Sequence, residues 1–192
     1  MPTLSRWIMW ALLALPAAVV VARQLSGAIP YGAALQESGE WAVRLLLVTL
    51  ALSPLRLAYP RAGWTLWLAR RRRDLGVATF SYAALHTLAY LIRKAEMPIL
   101  IWREGLEPGM AVGWVALAAF AALAITSNDA SVRALRARWK RLHRLVYPAA
   151  VLALAHWILT AFDPFEGAVH AAVLGAIVAT RVLIARRQGR AT

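Results

Sequence analysis

The chain has no cysteine among its 192 residues. That absence removes disulfides, zinc–thiolate sites, iron–sulfur clusters and cysteine nucleophiles together. Histidine is scarce, four in all, and Asp and Glu together number 9 against 22 Lys and Arg. There is no G-x-S-x-G, no H-E-x-x-H, no P-loop and no Rossmann glycine fingerprint. No pair of span-embedded carboxylates points to a proton-coupled carrier. What the chain has in excess is apolar surface. Hydrophobic residues make up 61%, above the ~45–50% of soluble domains, so lipid is the expected solvent. The length suits one domain over residues 1–192.

Apolar runs long enough to cross ~30 Å at ~1.5 Å per residue fall at roughly 5–22, 41–59, 75–92, 109–126, 142–161 and 166–185. The expected fold is therefore all-α, a polytopic bundle of six transmembrane helices. Tryptophans such as Trp7, Trp41, Trp64, Trp102 and Trp139 fall near span ends or in short loops, where an interfacial aromatic belt belongs. Basic residues alternate loop by loop. Arg6 precedes the first span, and Arg56, Arg61 and Arg70 to Arg73 separate the second from the third. Arg133, Arg136, Arg138, Lys140, Arg141 and Arg144 separate the fourth from the fifth, and Arg186, Arg187 and Arg190 follow the sixth. The intervening loops hold Glu37, Glu40, Glu96, Glu104, Glu107, Asp163 and Glu166. By the positive-inside rule both termini are cytoplasmic. The net charge of +13 thus belongs to membrane anchoring, and nucleic acid is not the expected partner. Residues 1–22 have the outline of a signal peptide, with Arg6, an apolar core and Val20-Val21-Ala22 at its end; the expectation here is a retained first helix.

Local signals refine this plan. Ser127-Asn128-Asp129 looks like a helix start, opening a short cytoplasmic amphipathic helix over about 129–141. Pro148 lies in the fifth span, where it should free a backbone carbonyl one turn earlier. The apolar stretch Met97-Pro98-Ile99-Leu100-Ile101-Trp102 is too short to span and is expected to lie on the membrane surface.

The histidines carry the functional signal. Spans three and five run in the same direction, so His86 lies ~16 Å and His156 ~20 Å beyond their entry points at helical rise. Two imidazoles at matched depth on separate helices can hold one object between them, and ionisable residues inside spans mark function. Neutral imidazole ligates iron; a porphyrin brings four nitrogens of its own, leaving two axial positions. Ala83, Ala84 and Ala89 near His86, and Ala149, Ala150, Ala153 and Ala155 before His156, offer small side chains beside such a plane or close helix packing. The bland alternative is a pair of buried histidines bonded to backbone or to hydroxyls such as that of Ser81. Tyr82, Tyr90 and Trp157 lie within a turn of the pair, as cofactor lining or simple packing. His143, beside Arg141 and Arg144, is open to two readings, a second haem ligand or a solvated interfacial residue. His170, after Glu166, reads as interfacial. Arg44 either snorkels or meets an anionic cofactor.

Ser53-Pro54-Leu55-Arg56 and Arg71-Arg72-Arg73-Asp74-Leu75-Gly76, running on to Tyr82, His86 and Tyr90, resemble the MsrQ (YedZ) proteins. So do Ser127-Asn128-Asp129-Ala130 and Trp139-Lys140-Arg141-Leu142-His143-Arg144-Leu145-Val146-Tyr147, followed by His156. These proteins belong to the ferric-reductase-like transmembrane superfamily. The resemblance implies a haem b-binding subunit of a bacterial inner-membrane methionine sulfoxide reductase system. Its acceptor would be a periplasmic MsrP-type molybdopterin reductase that repairs oxidised methionines. The resemblance also implies electrons from membrane quinone, FMN as a further cofactor, and a cytosolic flavin reductase. By match to the motif, His86 and His156 would be axial ligands of one haem, and His143 stands where the superfamily has an inner-haem ligand. The position that would partner His143 is Arg72, and arginine, always protonated, is no ordinary iron ligand. One haem is therefore expected, and a second at His143 only with some other partner. No soluble NADPH/FAD domain follows the sixth span, so electrons are expected to come from another molecule. The rivals are a self-contained membrane ferric or quinone reductase and a non-redox scaffold subunit with structural histidines.

Overall fold

A computed structural model describes the backbone of residues 2–189 and the side chains of 4–187; Arg190 lies outside the described residues. Every described element is an α-helix: α1 (Pro2–Leu25), α2 (Tyr31–Ala58), α3 (Gly63–Lys94), α4 (Pro98–Gly105), α5 (Pro108–Ile125), α6 (Asp129–Leu135), α7 (Ala137–His143), α8 (Val146–Thr160) and α9 (Phe165–Gly189). Six stretches are long and apolar enough to cross a membrane, namely α1, α2, α3, α5, the α7–α8 run and α9. The six expected spans are all present.

Two of them are longer than hydropathy indicates. With 28 and 32 residues, α2 and α3 reach about 42 and 48 Å at helical rise, well beyond a ~30 Å hydrocarbon layer. Apolar runs locate the greasy part of a helix and not its ends. Gln36, Glu37 and Glu40 interrupt the run before residue 41, and Arg70 to Arg73 interrupt it before residue 75, yet the hydrogen-bond ladder continues through both. The chain turns between these helices at Tyr59 to Ala62, where Pro60 prevents helical continuation. Arg56 donates to the Pro60 carbonyl at 2.5 Å, and the Thr65 hydroxyl reaches the Tyr59 and Ala62 carbonyls at 2.9 and 2.8 Å.

The single helix expected over 129–141 is two helices. Arg136 adopts φ 48° and ψ −120°, outside the right-handed helical region, so its N–H closes α6 on Val132 while its carbonyl opens α7 by accepting from Trp139. The helix start is as expected: Asn128 Oδ1 accepts the Ser131 N–H at 2.8 Å. Pro148 also acts as expected. It has no N–H to offer the Arg144 carbonyl, which takes the Tyr147 N–H at 3.2 Å instead, and α8 is set off from α7 there. The apolar stretch after Met97 is helical, with Pro98 in its first turn and Ile99 and Trp102 exposed.

α2 is the axis of the bundle. Val43, Leu46, Leu47 and Leu50, spaced i, i+3, i+4, i+7, form one face and pack on Ala116, Phe120 and Leu123 of α5, on Ala149, Ala150 and Leu154 of α8 and on Leu174 of α9. An adjoining face, Ala42 and Leu45, meets Ala78 and Tyr82 of α3, with Trp10, Leu13 and Ala17 of α1 alongside. α3 packs chiefly on α2, and α8 chiefly on α5. The bundle is thus two hairpin-like pairs, and each pair carries one of the span histidines. Ala149 and Ala150 are fully buried in this core, where their small side chains let α8 approach closely, the packing alternative for these alanines.

Tyr82 ties α1 to this assembly. Its hydroxyl donates to the Leu13 carbonyl at 2.7 Å and accepts the Ala17 N–H at 2.9 Å, bridging groups that are helical partners four residues apart. Nearer the arginine-rich end, Arg6 of α1 bonds Asp74 at 2.9 Å; Asp74 is only 6% exposed and also faces Arg71.

Candidate functional site

His86 and His156 meet. Their ring centroids are 6.2 Å apart and their planes lie at 82°. Each ring is held by the other member of its own helix pair. His86 Nδ1 sits 2.9 Å from the Leu35 carbonyl of α2, and His156 Nδ1 sits 2.8 Å from the Gly109 carbonyl of α5. A carbonyl oxygen only accepts, so Nδ1 is the protonated nitrogen in both rings. Each Nε2 then keeps a lone pair, and neither Nε2 has a hydrogen bond among the described residues. This is the tautomer a metal-ligating histidine presents when a backbone carbonyl orients it.

Glycine makes both contacts possible. Gly39 is one turn beyond Leu35, and Gly113 is one turn beyond Gly109. A Cβ at 39 would lie 3.0 Å from His86 Nδ1, and one at 113 would lie 2.6 Å from His156 Nδ1. The imidazoles occupy the space these glycines leave. Hydropathy started span two at residue 41, after both Leu35 and Gly39, and so missed this half of the site. The Gly109–Gly113 spacing was legible as a small-residue motif, though not as a histidine seat.

Two metal–imidazole bonds of about 2 Å plus the half-width of each ring account for a centroid separation of about 6 Å. The residues present therefore fit a flat metal complex that needs only two axial nitrogens. Among the described residues no group of three or more His, Cys, Asp or Glu is placed to hold a bare ion.

The neighbouring aromatics take other partners. Tyr90, one turn beyond His86, donates to Glu104 of α4 at 2.8 Å, and its ring stands edge-on to Trp114 at 6.5 Å. Lys94 pairs with the same carboxylate, and these bonds, Lys94 first, hold Glu104 below the ordinary carboxylate range. Trp157 lies against His170, whose Nδ1 bonds the Glu166 carbonyl at 2.7 Å. Arg44 pairs with Glu40 at 2.6 Å and covers Trp41.

His143 lies apart from the pair. Its Nε2 is 3.1 Å from Thr126 Oγ1, and its ring stacks on Trp139 with centroids 3.9 Å apart. The Thr126 hydroxyl donates to the Ala122 carbonyl at 2.7 Å, so its lone pair receives the His143 Nε2–H. No second histidine meets His143 among the described residues. Arg72 is exposed, and its charge, with that of Arg73, acts on His143 without a direct hydrogen bond among the described residues.

The family described as "Ferric reductase like transmembrane component" matches residues 38–154. A protein of Rhodospirillum rubrum called "Protein-methionine-sulfoxide reductase heme-binding subunit MsrQ" is 41% identical over 172 residues, covering 86% of this chain and 81% of its own length. Proteins of the same name from Xanthomonas campestris pv. campestris (strain B100) and Xanthomonas axonopodis pv. citri are each 39% identical. They align over 84% and 81% of this chain and over 75% and 71% of their own lengths. No solved structure matches. With its six membrane-length helices, the chain belongs to the ferric-reductase-like transmembrane family and, within it, to the MsrQ haem-binding subunits.

Proposed function

We propose that this chain is a haem b-carrying electron-transfer subunit of a methionine sulfoxide reductase system, with His86 and His156 as the axial ligands. The observation that carries this reading is the facing histidine pair, 6.2 Å between centroids, with both Nδ1 atoms engaged by backbone carbonyls. Haem bound there would supply one-electron exchange between ferric and ferrous iron. The chain's own residues hold the imidazoles in a single tautomer, exclude water with helices α2, α3, α5 and α8, and tune the ligands through the Nδ1–H bonds.

The acceptor is a methionine sulfoxide reductase, in line with the names of the relatives, and the motif resemblance supports a periplasmic MsrP-type molybdopterin enzyme. The donor is membrane quinone or a cytosolic flavin reductase, with FMN as a further cofactor; the motif resemblance supports both. The alternation of basic and acidic loops supports cytoplasmic termini and a multi-pass bacterial inner-membrane location. The whole chain acts as one domain. His143 would serve a second haem only by releasing Thr126 and recruiting a partner other than Arg72.

Haem stoichiometry and reduced-minus-oxidised spectra of the purified protein test the reading. Native protein should show reducible Soret and α bands, and the ferrous form should be reoxidised by the periplasmic reductase. A chain without haem, or spectra indifferent to both His86→Ala and His156→Ala, would sink it. Reoxidation by ferric chelates alone would make the chain a self-contained reductase instead.

A further inference from the structure

We infer that Gly39 and Gly113 are positioning residues that seat His86 and His156 and thereby fix which nitrogen each ring presents and how the two planes are turned. The inference rests on the haem reading above for its spectroscopic consequence, but its structural half can be tested without haem.

The two seats are built alike on different helices. In α2 the carbonyl of residue 35 accepts the imidazole and residue 39 is glycine; in α5 the carbonyl is that of residue 109 and the glycine is residue 113. A helix normally covers its carbonyls with the side chains around them, so a second donor needs a gap. Glycine one turn on supplies it. The added Cβ would meet the imidazole itself at 113, with Nδ1 at 2.6, Cγ at 2.9 and Cε1 at 3.0 Å, and similarly at 39, with Nδ1 at 3.0 and Cε1 at 3.2 Å. Other tight glycines touch different things. A Cβ at Gly109 would meet Thr160 and Leu159, and one at Gly167 would meet Ile158 and Trp157, as ordinary close helix packing requires. Gly32, Gly76 and Gly175 have nothing within 4 Å. Among the described residues, Gly39 and Gly113 are thus the two helical glycines whose nearest neighbour is a histidine. Because each ring is oriented by its own helix pair, the 82° between the planes follows from the packing of the two pairs.

An alanine at 113 pushes the ring off its carbonyl, and one at 39 shifts it by a few tenths of an ångström. As the Nδ1–H bond is lost or lengthened, the ligand becomes less electron-donating and the iron potential rises. Loss of such an orienting partner typically weakens metal binding about 10- to 100-fold. Gly113→Ala has the larger effect, since its Cβ comes closer.

The experiment compares Gly113→Ala and Gly39→Ala with Gly32→Ala and Gly167→Ala. Haem retention, midpoint potential and low-spin ferric EPR are measured, alongside thermal unfolding of native, His156→Ala and His156→Ala/Gly113→Ala proteins. The expected results are weakened haem retention, a raised potential and altered EPR for the 39 and 113 variants. Gly32→Ala should stay native, and Gly167→Ala should melt earlier with a native spectrum. With the imidazole gone, Gly113→Ala should no longer destabilise, which also covers the case in which Gly113→Ala alone fails to fold. Native spectra and potentials in both the Gly39→Ala and Gly113→Ala proteins overturn the inference. So does an equal loss of stability from Gly113→Ala with and without His156, because the glycine would then serve helix packing. Spectra unmoved by His86→Ala and His156→Ala would instead refute the haem reading, while the coupling between 113 and 156 would still be measurable.

Discussion

The two histidine-bearing regions of the bundle use the same side chain in opposite ways. Between α3 and α8, His86 and His156 donate from Nδ1 to helix carbonyls and keep Nε2 for something else. At the arginine-rich end, His143 spends its Nε2 on Thr126 and stacks on Trp139. Trp139 in turn donates to the Thr126 carbonyl at 2.9 Å, so a threonine, a tryptophan and a histidine close on one another. The first region is a pair of rings set edge-on to each other, each with an Nε2 that takes no hydrogen bond among the described residues. The second is a satisfied cluster under a layer of arginines. Burial alone does not mark a functional histidine; the nitrogen left over does.

That contrast can be broken most forcefully at the ligands. His86→Ala or His156→Ala should abolish the α band of the site, whereas His143→Ala should leave it intact, as reduced-minus-oxidised spectra would show. A His143→Ala protein without any haem would reverse the assignment. Next in size, Thr126→Val leaves the half-buried His143 Nε2–H without its acceptor, at a cost of about 1–3 kcal/mol in thermal unfolding, with the His86–His156 spectrum unchanged. Tyr82→Phe removes two hydrogen bonds that hold α1 and should cost about 1–2 kcal/mol; amide exchange should rise in α1 while haem content stays native. The smallest effect concerns the link between α3 and α6. Arg73 hydrogen-bonds Asp129 at 2.7 Å and holds its carboxyl below the usual range. A lowered folded-state value stabilises above the ordinary carboxylate range and is lost as pH falls through the lowered value. Acid titration of α6 exchange should show that loss, and Asp129→Asn should show the acid-state exchange already at pH 7, with no further change on acidification.

Glycine and polar helix ends explain what was hard to read in advance. The ten residues that begin α2 look like a loop because Gln36, Glu37 and Glu40 are there, yet they carry the carbonyl and the glycine that seat His86. Arg70 to Arg73 look like an extramembrane connection, yet they continue α3 and place Asp74 against Arg6. The break at Arg136 was invisible for another reason: nothing in Leu135-Arg136-Ala137 signals a positive φ. By contrast Asn128 and Pro148 acted as their local chemistry requires, since a cap and a missing N–H depend on a few adjacent residues.

Composition and apolar runs by themselves determined that the chain is a six-span helical bundle, because an apolar excess of this size has to be met by lipid and six runs are long enough to cross a bilayer. Spacing along two spans that run the same way also determined that His86 and His156 lie at one depth. Only the tertiary structure decided that the two rings face each other, that Nε2 is the nitrogen each retains, and that His143 is already engaged. Depth is counted along one helix, whereas the azimuth of a side chain and the proton on its ring depend on which carbonyl of another helix comes within reach.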